Sequence, residues 1–464
     1  MRVAVAAIAR PTFDVGLAQE MADAAFEVLG RSGAALIGSP ALLLDADTIG
    51  DAASAWIGAD LDAIVVLQAS FADSSLALAL ARTTDAPLVF WAFPEDRTGG
   101  RLRINSLCGI NLAGFALKRE RRPYRWLYRH PSDPAALDEL RGGLDDTQPP
   151  PPSPAPTVEP GPDARRRAGE VRERLAEATI GVVGDHPVGF EPCGYDRDEL
   201  ASVTGVTAEP LGLDRLFDGA RAASAADLDS LRRDVAVELE GLDDLDQDAL
   251  DQSLRLHLGL RGLVADRGWS AVATRCWPEC FTELGAAACT PQAMLADKGV
   301  PACCEADAYG GVTGLVLQWL TERPAFVADL VDIDRVDDTG VFWHCGLAPF
   351  SLADPEAVRK ATVHGNRRKP LLNEFPLEPG RVTIARFSRS AGVHRLVVGG
   401  GEMLRAPLAF AGTAGVLRFD RPAGDVLATV MGEGLEHHYG IGYGDVRGDL
   451  YALAGQLGLA VVSL

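Results

Sequence analysis

The residues most able to do chemistry lie in the middle and last third of the chain. Arg275-Cys276-Trp277-Pro278-Glu279-Cys280 follows an apolar run, WSAVAT (269–274), that reads as a strand. A second apolar run, VPACC (300–304), is followed at once by Glu305, Ala306 and Asp307. A third, GVFWHC, delivers His344, and a late GEGLEHHYGIGYGDV carries His437 and His438. In parallel α/β sheets, ligands sit beyond the carboxyl ends of the strands. Carboxylates from two adjacent strand ends and a histidine from a third therefore converge on one cleft if those strands are neighbours. Adjacent residues of an extended chain point to opposite sides, so one of His437 and His438 can ligate a metal while the other packs or meets substrate. Hard carboxylate oxygens with one imidazole suit Mn²⁺, Mg²⁺ or another divalent cation better than a thiolate-bound Zn²⁺. Such an ion can polarise a carbonyl and its neighbouring hydroxyl while a carboxylate moves a proton between the two carbons. Each residue also has a plain structural role open to it. Glu305 or Asp307 can cap a helix starting near Tyr309, His344 can be a hydrogen-bonded core histidine, and Trp277 can be packing or the wall of a sugar site.

The elements that must position these groups are legible in outline. Residues 3–9, 34–38, 62–67 and 87–92 read as strands alternating with helices over 15–29 and 73–83, which predicts a parallel sheet covered on both faces. No G-x-G-x-x-G follows the first strand, so a dinucleotide site is not indicated. The Pro-rich segment QPPPPSPAPTVEPGP cannot continue a helix or a central strand and is expected to be a linker or crossover. TIGVVG (179–184) opens a second α/β unit, and an amphipathic helix is expected over about 247–266, ending near Gly268. From about Pro376 the chain changes to short β-like runs (RVTIARF, HRLVVG, GVLRFD, DVLATVM) punctuated by Gly and Pro, which predicts an antiparallel sheet or small barrel. The expected fold is thus α/β: two doubly wound parallel-sheet domains (1–147 and 164–345, joined by 148–163) followed by a C-terminal antiparallel β-barrel-like domain (346–464) carrying the paired histidines.

Composition narrows the partners. The formal charge is −21, which disfavours nucleic acid and anionic membranes as partners, because phosphate binding needs a local excess of Lys and Arg. The apolar run of MRVAVAAIAR is too short for a signal peptide, and no stretch of ~18 apolar residues suggests a membrane span. Eight cysteines without a C-x-x-C pair suit a reducing cytoplasm and disfavour a zinc ribbon.

At RCWPEC, CEADAYGG, HCG (344–346), HHYGIGYGDV and WAFPEDRTGGRLRINSLCGINLAG (91–114), the sequence resembles the fucose and arabinose isomerase family, with motif order preserved over most of the chain. The resemblance implies an Mn²⁺-dependent aldose–ketose isomerase acting on a monosaccharide (a pentose, deoxyhexose or modified hexose), assembled as a homo-oligomer, a hexamer or trimer. It implies a metal held by Glu279, Asp307 and His438, with Glu279 and Asp307 as the acid/base pair. Glu305, His344, His437, Trp277 and Arg275 remain as further ligands or sugar contacts. Arg101, Arg103 and Arg275 could meet an anionic substrate. The family's N-terminal domain can cover a neighbouring subunit's site, which would bring Asn105, and Asn111 with it, to substrate across an interface. The alternatives are a sugar-binding or regulatory protein without turnover, or another metal-dependent sugar enzyme such as an epimerase.

Overall fold

The computed structural model describes residues 1–146, 152–153 and 158–464. Most of the Pro-rich segment, 147–151 and 154–157, lies outside the described residues. The chain re-enters as a helix at Pro162–Glu177, where proline occupies the first turn and so gives up no intrahelical hydrogen bond.

Five strands form the first sheet: β1 (Arg2–Ile8), β2 (Ala35–Leu43), β3 (Ala63–Gln68), β4 (Leu88–Ala92) and β5 (Tyr124–Tyr128). They are all parallel, in the order β2-β1-β3-β4-β5. β3 and β4 are buried along their whole length, which explains their unbroken apolar runs. The order reverses between β1 and β3, so a crevice opens beyond their carboxyl ends. The second sheet, also parallel, runs β7-β6-β8-β9, with β6 at Thr179–Val183, β7 at Thr207–Leu211, β8 at Ala271–Thr274 and β9 at Ala302–Cys304. The amphipathic helix extends over Gln247–Arg267 and ends on a left-handed Gly268, as its sequence predicts.

The remaining strands are β10 (Phe326–Asp334), β11 (Thr339–His344), β12 (Lys360–Thr362), β13 (Leu372–Pro376), β14 (Gly380–Ser388), β15 (Arg395–Leu404), β16 (Thr413–Phe419), β17 (His438–Tyr443) and β18 (Ala460–Ser463). Antiparallel pairing runs β16-β11-β10-β17-β14-β15 and returns from β15 to β16, closing a six-stranded barrel. Closure removes the unpaired edges that an open antiparallel sheet would expose. β18 and the β12–β13 pair are appended to its sides.

Two local expectations change. The strand that carries His344 is not a third parallel strand of the middle sheet. β10 and β11 form a hairpin of the barrel, so barrel structure begins at Phe326 and not after residue 345. The run DVLATVM is helical, within Ala423–Glu433. Its buried Val426, Leu427, Val430 and Met431 repeat at helical spacing, and a two-residue strand alternation does not place them on one face.

The helix Ala308–Thr321 lies between the second sheet and the barrel and locks them together. Its Thr313 hydroxyl accepts from the Phe387 amide at 3.1 Å. Gly440 of β17 lets it approach closely, because a Cβ there would come within 2.6 Å of Leu317.

Candidate active site

The site is assembled where the three layers meet. β9 ends at Cys304 and is followed by Glu305 and Ala306, both in the left-handed region (φ 60° and 55°). Consecutive non-glycine residues in that region are strained, and such strain persists where surrounding structure over-determines it, commonly at functional sites. The turn aims Glu305 at the barrel. Its Oε1 accepts from Trp277 Nε1 at 3.3 Å, and its Oε2 lies 3.1 Å from His437 Nε2. Burial pushes the Glu305 carboxyl up, but the His437 hydrogen bond and the nearby imidazoles outweigh it and hold the group below its usual range.

Asp307, two residues on, has a different task. Its Oδ1 accepts from the Gly310 amide at 2.9 Å, capping the helix, and from Arg386 Nη2 at 3.0 Å. Its Oδ2 accepts from Arg386 Nη1 at 2.6 Å and from His438 Nδ1 at 2.9 Å. A carboxylate offers about four acceptor positions, and all four are taken. Burial raises the Asp307 carboxyl, but Arg386 and His438 overwhelm that and keep it far below the usual range. Ionised Asp307 therefore fixes the proton of His438 on Nδ1 and leaves the Nε2 lone pair facing Asp329 and Glu305.

That lone pair faces two carboxylates. In the antiparallel ladder Asp329 of β10 stands directly opposite His438 of β17, and cross-strand partners share a face. Asp329 Oδ1 lies 3.3 Å from His438 Nε2, and Glu305 Oε2 lies 3.7 Å from the same nitrogen. Asp329 Oδ1 is buried and has no hydrogen-bond partner. Burial accordingly raises the Asp329 carboxyl, against the pull of His438, His437 and His344. An imidazole lone pair with an acidic oxygen at 3.3 Å and another at 3.7 Å is repelled by both, and a cation beside it would relieve the repulsion. The donor set, two carboxylates and one imidazole, is that of a hard divalent ion.

The predicted residues are thus partly brought together. His438, His437, Glu305, Trp277, Asp307 and His344 lie at or directly behind this centre. His344 sits on the wall, with its Nδ1 accepting from the Cys345 amide at 2.9 Å. Burial disfavours its charged form, but the Cys345 thiol, Asp329 and Glu305 hold its pKa up at about 9. Glu279 does not join them: among the described residues its oxygens form no group with Asp307 and His438 within 4.8 Å. It is clasped instead by Arg275, at 2.7 and 2.6 Å, four residues earlier on the same turn. That pairing also withdraws Arg275 from the cavity. Asp329 was not anticipated, although a carboxylate in the apolar strand FVADLVDID is a signal, since a mid-strand Asp needs a partner.

An open cavity lies beside the centre. Glu305, Asp329 and His344 line it from one side. Arg10, Thr12, Phe13, Phe71 and Asn105 line it from the first sheet's switch-point crevice, so the N-terminal sheet contributes within the same chain. Asn105 is left-handed (φ 46°), a conformation asparagine tolerates, and its Oδ1 is buried without a partner. The Glu95 carboxylate holds this loop by accepting the amides of Arg103, Ile104 and Asn105. Asn111 lies elsewhere, donating to the Leu435 carbonyl. Trp277 forms the remaining wall with Phe190, edge to face at 5.1 Å, and Arg10 and Arg367 lie over its ring. Arg101 and Arg103 are turned away, to the Thr12 carbonyl and to Asp14.

Two parallel sheets and a closed barrel thus converge on a cluster of carboxylates and imidazoles beside one cavity. Residues 4–146 match the family model described as the N-terminal domain of fucose/sulfoquinovose isomerase. Over 459 residues, 98% of each chain, the protein is 30% identical to a sulfoquinovose isomerase of Alkalicoccus urumqiensis. It is 28% identical to one of Priestia aryabhattai over 97% of this chain and 96% of the relative. A third, from a Clostridium species, is 30% identical over 85% of each. The chain belongs to the sulfoquinovose isomerase family.

Proposed function

We propose that this protein interconverts sulfoquinovose, a hexose with a sulfonate on C6, and the corresponding ketose, using a divalent cation held by Glu305, Asp329 and His438. The observation that carries the proposal is His438 Nε2, whose lone pair faces Asp329 and Glu305 at 3.3 and 3.7 Å while Asp307 holds its other nitrogen. A divalent cation bound there, Mn²⁺ by the family's habit, would polarise the sugar carbonyl and its adjacent hydroxyl. Glu305 approaches His438 from the turn after β9 and Asp329 from β10. One removes the proton from the carbon next to the carbonyl and the other manages the hydroxyl proton, so that the proton returns to the neighbouring carbon through an enediolate. His437 and Trp277 orient Glu305 by binding one oxygen each. Asp307, fully engaged with Arg386, positions His438 and does not exchange protons. Glu279 and Arg275 form a structural pair at the rim. Asn105, with its free buried oxygen, and His344 meet sugar hydroxyls.

The cysteine usage of the sequence, eight residues without a C-x-x-C pair, fits a reducing, cytoplasmic location. No helix among the described residues is long and apolar enough to cross a membrane. A homo-oligomer follows the family pattern and is open to light scattering.

The test strips the protein with chelator, restores Mn²⁺, Mg²⁺ or Zn²⁺, and follows ketose formation from sulfoquinovose, 6-deoxyglucose and a panel of pentoses. Ketose from the sulfonated sugar, dependent on added metal, is expected. Equal turnover in the stripped protein would overturn the cation's role, and turnover confined to pentoses would overturn the substrate.

A further inference from the structure

The cavity that Glu305 and Asp329 line also holds two arginines that make no ion pair. Arg10 emerges at the carboxyl end of β1, at the switch point of the first sheet. Its guanidinium carbon lies 4.4 Å from the Trp277 ring centroid and is also close to Phe71 and Phe190, at 5.7 and 5.9 Å. Arg367, from the segment between β12 and β13, lies 5.6 Å from Trp277 and 5.5 Å from Phe281. Both line the same cavity. Among the described residues neither side chain makes an ion pair within 4.0 Å or a hydrogen bond. The other arginines near the site are engaged: Arg97 with Asp332, Arg103 with Asp14, Arg275 with Glu279 and Arg386 with Asp307.

Two half-buried guanidinium groups sharing an aromatic box repel each other. Burial and the charge of Arg367 both act against the charged form of Arg10, while Asp73 and Glu305 favour it from outside ion-pair range. Stacking on indole holds a guanidinium by its face and leaves its N–H edge free, the geometry in which arginine grips an oxyanion. Trp277 divides the cavity: its Nε1 donates to Glu305 at the reactive end and its face supports the arginines. One cavity therefore carries both the carboxylates of Glu305 and Asp329 and two guanidinium groups without ion-pair partners.

We propose that Arg10 and Arg367, stacked on Trp277, form the subsite for the sulfonate on the substrate's C6. This inference rests on the isomerase reading above and names the residues that select its substrate. Each guanidinium donates to sulfonate oxygens, which neutralises the pair and pins the far end of the sugar, so that C1 and C2 fall at Glu305 and Asp329. Removing one charge-assisted contact of this kind weakens binding by about 10–100-fold.

The experiment compares the Mn²⁺-loaded wild-type protein with Arg10→Gln, Arg367→Gln, Arg10→Lys and the double glutamine variant. Each is assayed by kinetics and by calorimetry with sulfoquinovose, and with 6-deoxyglucose as the same sugar lacking the sulfonate. The wild type is expected to prefer the sulfonated sugar. Each single Gln variant should lose about 10–100-fold of that preference, mainly through KM and not kcat, and Arg10→Lys should recover part of it. The wild-type KM for the sulfonated sugar should also rise with added salt, more steeply than in the double variant. Wild-type turnover with an unaltered preference in both single variants and the double variant would overturn the subsite and leave the isomerase standing. Tight, arginine-dependent binding of sulfoquinovose with no ketose formed would do the reverse.

Discussion

Replacing Asp329 by asparagine separates an active-site carboxylate from a structural one, because the two roles predict opposite changes in stability. Asp329 Oδ1 is buried, unpartnered and 3.3 Å from the His438 lone pair. Without a cation, this carboxylate carries a desolvation penalty of about 1–3 kcal/mol that the neighbouring imidazoles only partly offset, since Oδ1 has no hydrogen-bond partner. Asparagine has nearly the same shape and no charge. Chelator-treated Asp329→Asn should therefore be more stable than chelator-treated wild type, by an amount on the order of that penalty. With metal restored the order reverses. The variant should bind Mn²⁺ more weakly by more than the roughly 10–100-fold that a residue merely supporting a ligand contributes. Its turnover should fall by about 10²–10⁴-fold, the usual contribution of a positioned acid or base. Urea melts with and without Mn²⁺, calorimetric metal titration and ketose assay of the same preparations give all three numbers. A variant that is destabilised without metal, yet retains wild-type Mn²⁺ affinity and turnover, would refute the assignment of Asp329 to the metal centre.

Other substitutions probe the remaining roles. Glu305→Gln should lower turnover by about 10²–10⁴-fold while near-ultraviolet circular dichroism stays native. Asp307→Asn breaks a fully buried pair with Arg386 and should cost about 3–5 kcal/mol, visible in urea melts with or without metal, and should weaken Mn²⁺ binding by releasing His438. Glu279→Gln loses only a part-exposed pair with Arg275, so stability should change by less than about 1 kcal/mol and turnover should stay within tenfold; loss of activity there would return Glu279 to the acid/base pair. His257 is buried with Nδ1 2.9 Å from the Pro291 carbonyl, and burial lowers its pKa to about 4. The unfolded chain then binds the proton first as pH falls from about 6.5 toward 4, so folding stability should decline through that window and be unaffected above it. The loss should be on the order of 3 kcal/mol and should be abolished in His257→Asn, as read from urea melts at stepped pH.

Much was legible in the sequence because it is a local property. Apolar runs buried on both faces, Gly268 after the longest helix, and the change to short β-runs near residue 376 each reflect the chain's own periodicity and caps. Those features give two parallel sheets and an antiparallel barrel. Residue type and strand-end position also drew attention to Glu305, Asp307, His344, His437 and His438. The allocation of roles among them was not local. Asp307 and Glu305 are two residues apart at the same strand end, and only the position of Arg386, some eighty residues later, consumes every oxygen of one and leaves the other facing the cavity. Glu279 precedes a cleft in sequence, but its own neighbour Arg275 captures it once the turn forms. Asp329 enters the centre through a ladder register that sets it opposite His438, and register is fixed by how the barrel closes. Arg10, just beyond the first strand, reaches the box at Trp277 only because the first sheet's switch point opens onto the second sheet. Sequence periodicity determines the elements and which face of each is buried; long-range packing determines which polar groups neutralise one another and which are left with unmet charge, and it is the unmet charges that define this site.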